Sequence, residues 1–451
     1  MDAEALTPLS QTILEGLIEA RVKVVSYACD GTEVERAVQR LLSERAERHI
    51  TYAIEDPHHA ESNVSLKIPV IKGQPVCMIQ DSKHALKSLR NGLFSGGRAL
   101  ALGNFIAMYA HIRQMAFEDK APVYKRDVEK LDRQDDNAAS RLFSSKTLQY
   151  LCENHPEHVG DIVYLFVFGE LIDAYQNRSI PHSERVKLVL RARYFLDNWL
   201  KSLEVSGYSK TLYAISREGI DIMRIIIDGY LSLLIVHRDH IDGIAPLLPW
   251  LHSSEACEHV FGEARQIVKD FTMLDLLYMI PKLRVKMRHA ILDTQLSDPK
   301  ARASGYSHTY FDLAGLNELN LATFPSDFDI RVQSENAAAE SDCLLRLLGI
   351  RPQRLRRKAN AKVTELPGID SWFCEDDSTS INSDATGSSQ ESLSEAQEFH
   401  DIFAHEENLA LSRTEKQERA LLNLKCAELG LKVDDYTNVY VSGYVLGLKI
   451  Y

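Results

Sequence analysis

Two acidic positions with basic and imidazole neighbours have the residue types for metal or phosphate chemistry. The stretch IQDSKHALKSLRN (Ile79 to Asn91) puts Asp81 behind a β-prone run, and His84, Lys87, Arg90 and Asn91 follow it on a predicted helix. A carboxylate at the carboxyl end of a parallel strand is where an α/β fold gathers metal ligands and catalytic groups. The same residue is suited to capping the next helix, because Asp accepts from the free N–H groups of a first turn. A second stretch, SSEACEHVFGEAR (Ser253 to Arg265), sets Glu255, Glu258 and Arg265 at helical spacing with Phe261 on an apolar side. First-turn carboxylates favour the helix dipole, so capping and ligation both account for them. Cys152-x-x-His155-x-x-His158 has zinc-ligand residue types, yet no fourth ligand lies at a matching spacing. With Pro156 in the turn, that motif reads as a surface loop. His58-His59 and His237-x-x-His240 read as exposed turn residues, and Trp199 and Trp250 as core anchors.

The elements that must hold these groups follow from residue pattern. Val22 to Cys29 is a β-branched run closed by Asp30-Gly31, and a helix follows in which Val34, Ala37, Val38, Leu41 and Leu42 share a face. Lys67 to Gln80 is again strand-rich. Strand, helix and strand in that order predict a parallel crossover. Helical pattern then runs from about Ala99 to Leu292, divided by Pro122, Pro156, Pro181, Pro246 and Pro249. A mixed segment extends from about Ser297 to Pro352. Residues 375–399 are acidic, Ser-rich and poor in large apolar groups, which predicts disorder. A helix is expected from about Thr414 to Leu429, before a β-prone end.

A chain of 451 residues can bury two or three cores. Its 45% hydrophobic and 26% charged residues are ordinary globular composition. A net charge of −12 argues mildly against a free-standing DNA-binding domain, so nucleic-acid contact would need local patches such as Lys87, Arg90 and Arg265. Seven scattered cysteines without a CxxC pair read as reduced thiols. The opening MDAEALTPLSQ does not read as a signal peptide. The apolar stretch Ile215 to Val236 carries Arg217, Glu218, Asp221, Arg224 and Asp228, which suits a buried helix and not a membrane span. A soluble nuclear or cytoplasmic protein is expected. Arg354 to Lys358 is open to two readings, a phosphate-binding or nuclear-import patch and a solvated loop.

Taken in order, these stretches resemble the core of P-element-type (THAP-associated) transposases. That family carries D-x-x-H-x-x-K-x-x-R-N at its second catalytic aspartate and, far downstream, D-x-x-E-x-x-F-G-x-x-R at its catalytic glutamate. Asp81, His84, Lys87, Arg90 and Asn91 match the first pattern. Glu258, Phe261, Gly262 and Arg265 match the second, with Glu255 where the family has aspartate. Asn137 to Leu151, Phe168 to Ser179 and Ile215 to Val236 are similar to segments of the helical insertion that lies between the two motifs. The likeness covers roughly residues 20 to 295.

The resemblance implies an RNase H-like α/β core, predominantly α in content and incomplete at its first strands, interrupted by an α-helical insertion. The implied division is 1–95 and 251–296 for the core, 96–250 for a nucleotide-binding-like insertion, and 297–360 for an extension. A disordered acidic linker over 361–410 and a short helix with a β-prone tail over 411–451 complete it. DNA strand transfer by two-metal chemistry is the implied ancestral activity, with Asp81 and Glu258 as Mg²⁺ ligands. Those two carboxyl groups should therefore lie close together. GTP would bind the insertion through Asp173, Asn177 and Glu255. Asp173 and Asn177 are four apart where the family spacing is three, which points also to Gln176. The family's first catalytic aspartate has no counterpart, so its strands are expected to be missing ahead of this N-terminus and activity to be lost. Asp30 would be a turn-and-cap residue, or else the substitute third ligand of an active Mg²⁺-dependent nuclease. A non-enzymatic helical scaffold is the remaining alternative. The partners implied are DNA, a guanine nucleotide and a second copy of the chain, and no membrane.

Overall fold

A computed structural model describes residues 2–57, 63–95, 99–129, 132–241, 245–293, 316–353, 355, 444–445 and 448–449. The expectations for His58-His59, the acidic segment, the Thr414 helix and most of the Arg354 to Lys358 patch lie outside these residues. The chain is an α/β mixture dominated by helix, with small sheets. It divides into two compact units. The first comprises Met1–Ser88, Val167–Arg193 and Arg217–Ala338, and the second Leu89–Phe166, Tyr194–Ser216 and Ala339–Tyr451.

The first unit opens with helix α1 (Ala3–Glu19), which the sequence reading did not anticipate; Asp2 caps it by accepting from the N–H of Ala5. Strand β1 (Ser26–Cys29) is shorter than the β-branched run before Asp30. Helix α2 (Glu33–Glu44) follows, with Thr32 and Glu35 forming a reciprocal capping box that satisfies two first-turn donors. Its buried Val38 and Leu42 pack in a cluster with Leu14 and Ile18 of α1. Strands β2 (Arg48–Ile54) and β3 (Val64–Ile71) form an antiparallel hairpin. On β3, Val64, Leu66, Ile68 and Val70 are buried and alternate with exposed Ser65 and Lys67, the period of a half-covered strand. The chain reverses through Lys72 and Gly73, both at positive φ, into β4 (Gln74–Pro75) and then β5 (Cys77–Gln80).

Strand β5 pairs in parallel with β1, from Ser26 opposite Cys77 to Cys29 opposite Gln80. The expected parallel crossover therefore forms, with the β2–β3 hairpin inserted after its helix. Asp30 and Asp81 consequently emerge at the same end of adjacent strands. Helix α3 (Ser82–Phe94) follows Asp81.

In the second unit, β6 (Leu100–Leu102) and β7 (Phe105–Ala107) make a hairpin inside a region expected to be wholly helical. Helices α4 (Tyr109–Ala116), α5 (Lys125–Glu129), α6 (Asp136–Leu142) and α7 (Ser145–Asn154) follow. Helices α8 (Val159–Gln176) and α9 (His182–Val205) each contribute part of their length to each unit. The prolines do separate helices: Pro122 lies between α4 and α5, Pro156 before α8, and Pro181 before α9. Trp199 is fully buried and donates from Nε1 to the carbonyl of Ala101 at 2.7 Å.

After α10 (Lys210–Tyr213), α11 (Arg217–His240) returns to the first unit as the buried helix read from Ile215 to Val236. It lies against β5 at Gly229, where an added Cβ would come within 3.0 Å of the Met78 carbonyl. Pro249 to Leu251 form a short 3₁₀ turn that buries Trp250. Helices α12 (Glu255–Ile267) and α13 (Met273–Asp293) come next. The mixed segment contains an unanticipated helix, Asp327–Leu347. Tyr444–Val445 and Leu448–Lys449 pair as a short hairpin in the β-prone end. No helix among the described residues is long and apolar enough to cross a membrane.

Candidate functional site

The carboxyl ends of β1 and β5 meet the first turns of α3 and α12. Asp81 is 2% exposed and its N–H donates to the Cys29 carbonyl at 2.9 Å, which fixes it to the end of the neighbouring strand. Its Oδ1 accepts from the backbone N–H of Lys83 at 2.7 Å and of His84 at 3.2 Å, the geometry of a helix cap. Its Oδ2 accepts from both the N–H and the hydroxyl of Ser254 at 3.0 Å, although Ser254 lies 173 positions away. Glu258, in the first turn of α12, is 3.3 Å from that same hydroxyl. Asp81 and Glu258 are thus brought together, as the sequence led us to expect.

His84 stands between the two remaining acids. Its Nε2 is 2.9 Å from Oε1 of Glu258 and 3.9 Å from Oδ1 of Asp30. The hydrogen bond to Glu258 raises the imidazole pKa, against the opposing pull of burial, and the same bond holds the Glu258 carboxyl below the usual range. Ligand atoms from Asp30, His84 and Glu258 lie within 4.8 Å of one another. Asp30 is not the helix cap expected of it, because Thr32 takes that role. Gly31, at φ +91°, turns the chain after it against the side chain of Gln80.

Charge around the cluster is mixed. Lys83 Nζ pairs with Glu255 at 2.7 Å, and the largely buried Lys87 brings Nζ to 3.4 Å from His84 Nε2. Four carboxylates (Asp30, Asp81, Glu255, Glu258) therefore face two ammonium groups and one imidazole. That surplus suits a divalent cation. The donors that converge are two carboxylates and one imidazole, a set that suits Mn²⁺ as well as an oxygen-preferring ion.

Other expected site residues are placed differently. Arg90 is 1% exposed, donates to the carbonyls of Asp135 (3.0 Å) and Asp132, and belongs to the second unit, so it is a structural clamp and not a phosphate contact. Arg265 is exposed on the last turn of α12, two turns beyond Glu258. Phe261 is 46% exposed over Phe271, not on a buried face. Asp173 is exposed on α8. Asn177 spends its Oδ1 on the N–H and hydroxyl of Ser179, a local turn. Gln176 reaches the start of α3 instead, donating to the Ser82 hydroxyl at 2.7 Å. Glu255 is engaged by Lys83.

The reading of Cys152, His155 and His158 as a surface loop is overturned. Cys152 and His155 are buried, and His158 packs against His111 of α4. Sequence spacing missed His111 because it comes from a distant helix. His237 also differs, being a half-buried helical residue bonded to the Leu233 carbonyl. The described cysteines, Cys29, Cys77, Cys152, Cys257 and Cys343, are free thiols. Comparison of the chain with protein-family models, curated proteins and solved structures found no match.

Proposed function

We propose that the end of β1 and β5 is a cation-dependent phosphoryl-transfer centre for DNA, of the transposase type with an RNase H-like core, and that it is degenerate in this chain. The observation that supports it is the meeting of Asp81 and Glu258 at the Ser254 hydroxyl, 173 positions along the chain from Asp81, beside a third carboxylate at the end of the adjacent parallel strand. Asp30 and Glu258 are the groups with oxygen atoms free to hold Mg²⁺ or Mn²⁺. When bound, such an ion would activate a water or 3′-hydroxyl and stabilise the leaving oxygen. Asp81 instead positions, since all four of its hydrogen bonds fix α3 and Ser254. Lys83 and Lys87 supply positive charge for a phosphate.

Degeneracy follows from the same contacts. With Asp81 committed and His84 bonded to Glu258, a cation gains fewer carboxylate oxygens than three free acids would give. Cleavage of DNA with exposed 3′ ends should be slow and dependent on Mn²⁺ or Mg²⁺. It should be lost in Glu258→Gln and in Asp30→Asn. Cleavage that is equal in wild type and Glu258→Gln would remove Glu258 from the site. Cation-independent cleavage, or none under any condition, would favour a non-enzymatic helical protein.

A further inference from the structure

A second cluster of ligand-type side chains lies in the other compact unit. Asp161 sits in the first turn of α8 with its side chain fully buried. Its Oδ1 accepts from the Met108 N–H at 3.1 Å, and its Oδ2 is 2.6 Å from Nδ1 of His111. His158, just ahead of α8, stacks face to face on His111 with ring centroids 3.8 Å apart and planes 11° from parallel. His155, the residue that ends α7, also stacks on His158, with ring centroids 5.2 Å apart. Glu118 Oε1 lies 2.9 Å from His155 Nε2.

Ligand atoms of His111, His158 and Asp161 fall within 4.8 Å of one another, and those of His155, Glu157 and His158 form an overlapping group. One further atom points to a missing occupant. Nδ1 of His158 is buried without a hydrogen-bond partner. Leaving such an atom unsatisfied is costly, and a bound cation would remove that cost. Two imidazoles and a buried carboxylate, His111, His158 and Asp161, match the nitrogen and oxygen donors that hold Zn²⁺. The Met108 N–H on Asp161 and the Glu118 carboxylate on His155 supply the outer hydrogen bonds that orient metal-binding groups. Cys152, although part of the sequence motif, is not one of the grouped ligands.

We propose that His111, His158 and Asp161 bind one divalent transition-metal ion of the Zn²⁺ class. The ion would pin α4 to the corner between α7 and α8, giving it a structural role in that unit. The proposal is independent of the phosphoryl-transfer reading.

The test is metal analysis of the purified full chain, stripped with chelator and reloaded with Zn²⁺, or with Co²⁺ as a spectroscopic stand-in. The expected result is one equivalent of Zn²⁺ per chain, visible Co²⁺ ligand-field bands, and a fall in the unfolding midpoint on chelation. His158→Asn should lose the equivalent and the bands, while Glu258→Gln should keep both. If His158→Asn does not fold, His111→Gln carries the test, because His111 is less buried and its loss disturbs packing less. A wild-type chain that retains no Zn²⁺ after desalting from a modest excess would overturn the site. So would folded His158→Asn or His111→Gln chains that bind as wild type does.

Discussion

Asp81 accepts four hydrogen bonds while only 2% exposed, and three of its donors belong to backbone that the fold cannot redirect. Bonds to a charged acceptor are each worth about 1.5–3 kcal/mol, though not additively. Asp81→Ala should therefore destabilise the chain by roughly 3 kcal/mol in urea unfolding, whatever its effect on catalysis. Glu258 is half exposed and bonded chiefly to His84. Glu258→Gln should cost under about 1 kcal/mol, in line with exposed ion pairs. If the two substitutions proved equally mild, Asp81 would not be a structural anchor. The contrast also decides which variant is useful: Glu258→Gln reports on chemistry with the fold intact, and Asp81→Ala does not.

Helix α3 carries residues of two kinds. Its first turns hold Lys83, His84 and Lys87 at the carboxylate cluster. Arg90 is instead sunk against the loop ahead of α6, where its guanidinium satisfies the Asp132 and Asp135 carbonyls. Arg90→Leu should cost about 2 kcal/mol by stranding those acceptors, and leave the salt dependence of any DNA binding unchanged. A phosphate-contacting arginine would shift the slope of log affinity against log salt by about one. Sequence alone gave Arg90 to the wrong class because helical spacing reports position along an element and not which surface another segment covers. The same limit explains the histidines. His155 and His158 were visible as a motif, but His111 comes from α4, and no local pattern links the two. What was legible was local or directional: the β-branched run before Asp30, the run before Asp81 and the first-turn acids of α12. Helix α1, the β2 strand and the β6–β7 hairpin escaped because their patterns are short or ambiguous. The pairing of β1 with β5 was legible only as an order of elements.

At the scale of the whole molecule, acid tolerance should be set by buried imidazoles more than by the net charge of −12. His182 is fully buried, with Nδ1 3.0 Å from the Tyr230 hydroxyl and Nε2 2.9 Å from the Leu321 carbonyl. The carbonyl can only accept, so the neutral ring donates from Nε2 and accepts at Nδ1, and adding a proton would oppose the Tyr230 contact. Burial pushes its pKa down to about 4 from 6.5. His252, bonded through Nδ1 to Ser26 at 2.8 Å, is pushed down to about 3, by burial first and by His237 second. Below pH 6.5 the unfolded chain takes up protons at these rings that the folded chain refuses. Stability is therefore complete above that pH and falls as pH drops toward 4, by roughly 3 kcal/mol for His182 alone. Urea midpoints measured from pH 7.5 to 4 should decline through this window. His182→Gln should be less stable than wild type at pH 7.5 and should decline with a slope shallower by up to one proton. A slope equal to that of wild type would mean His182 is protonated in the folded chain, and the Leu321 and Tyr230 contacts would then need another tautomeric account.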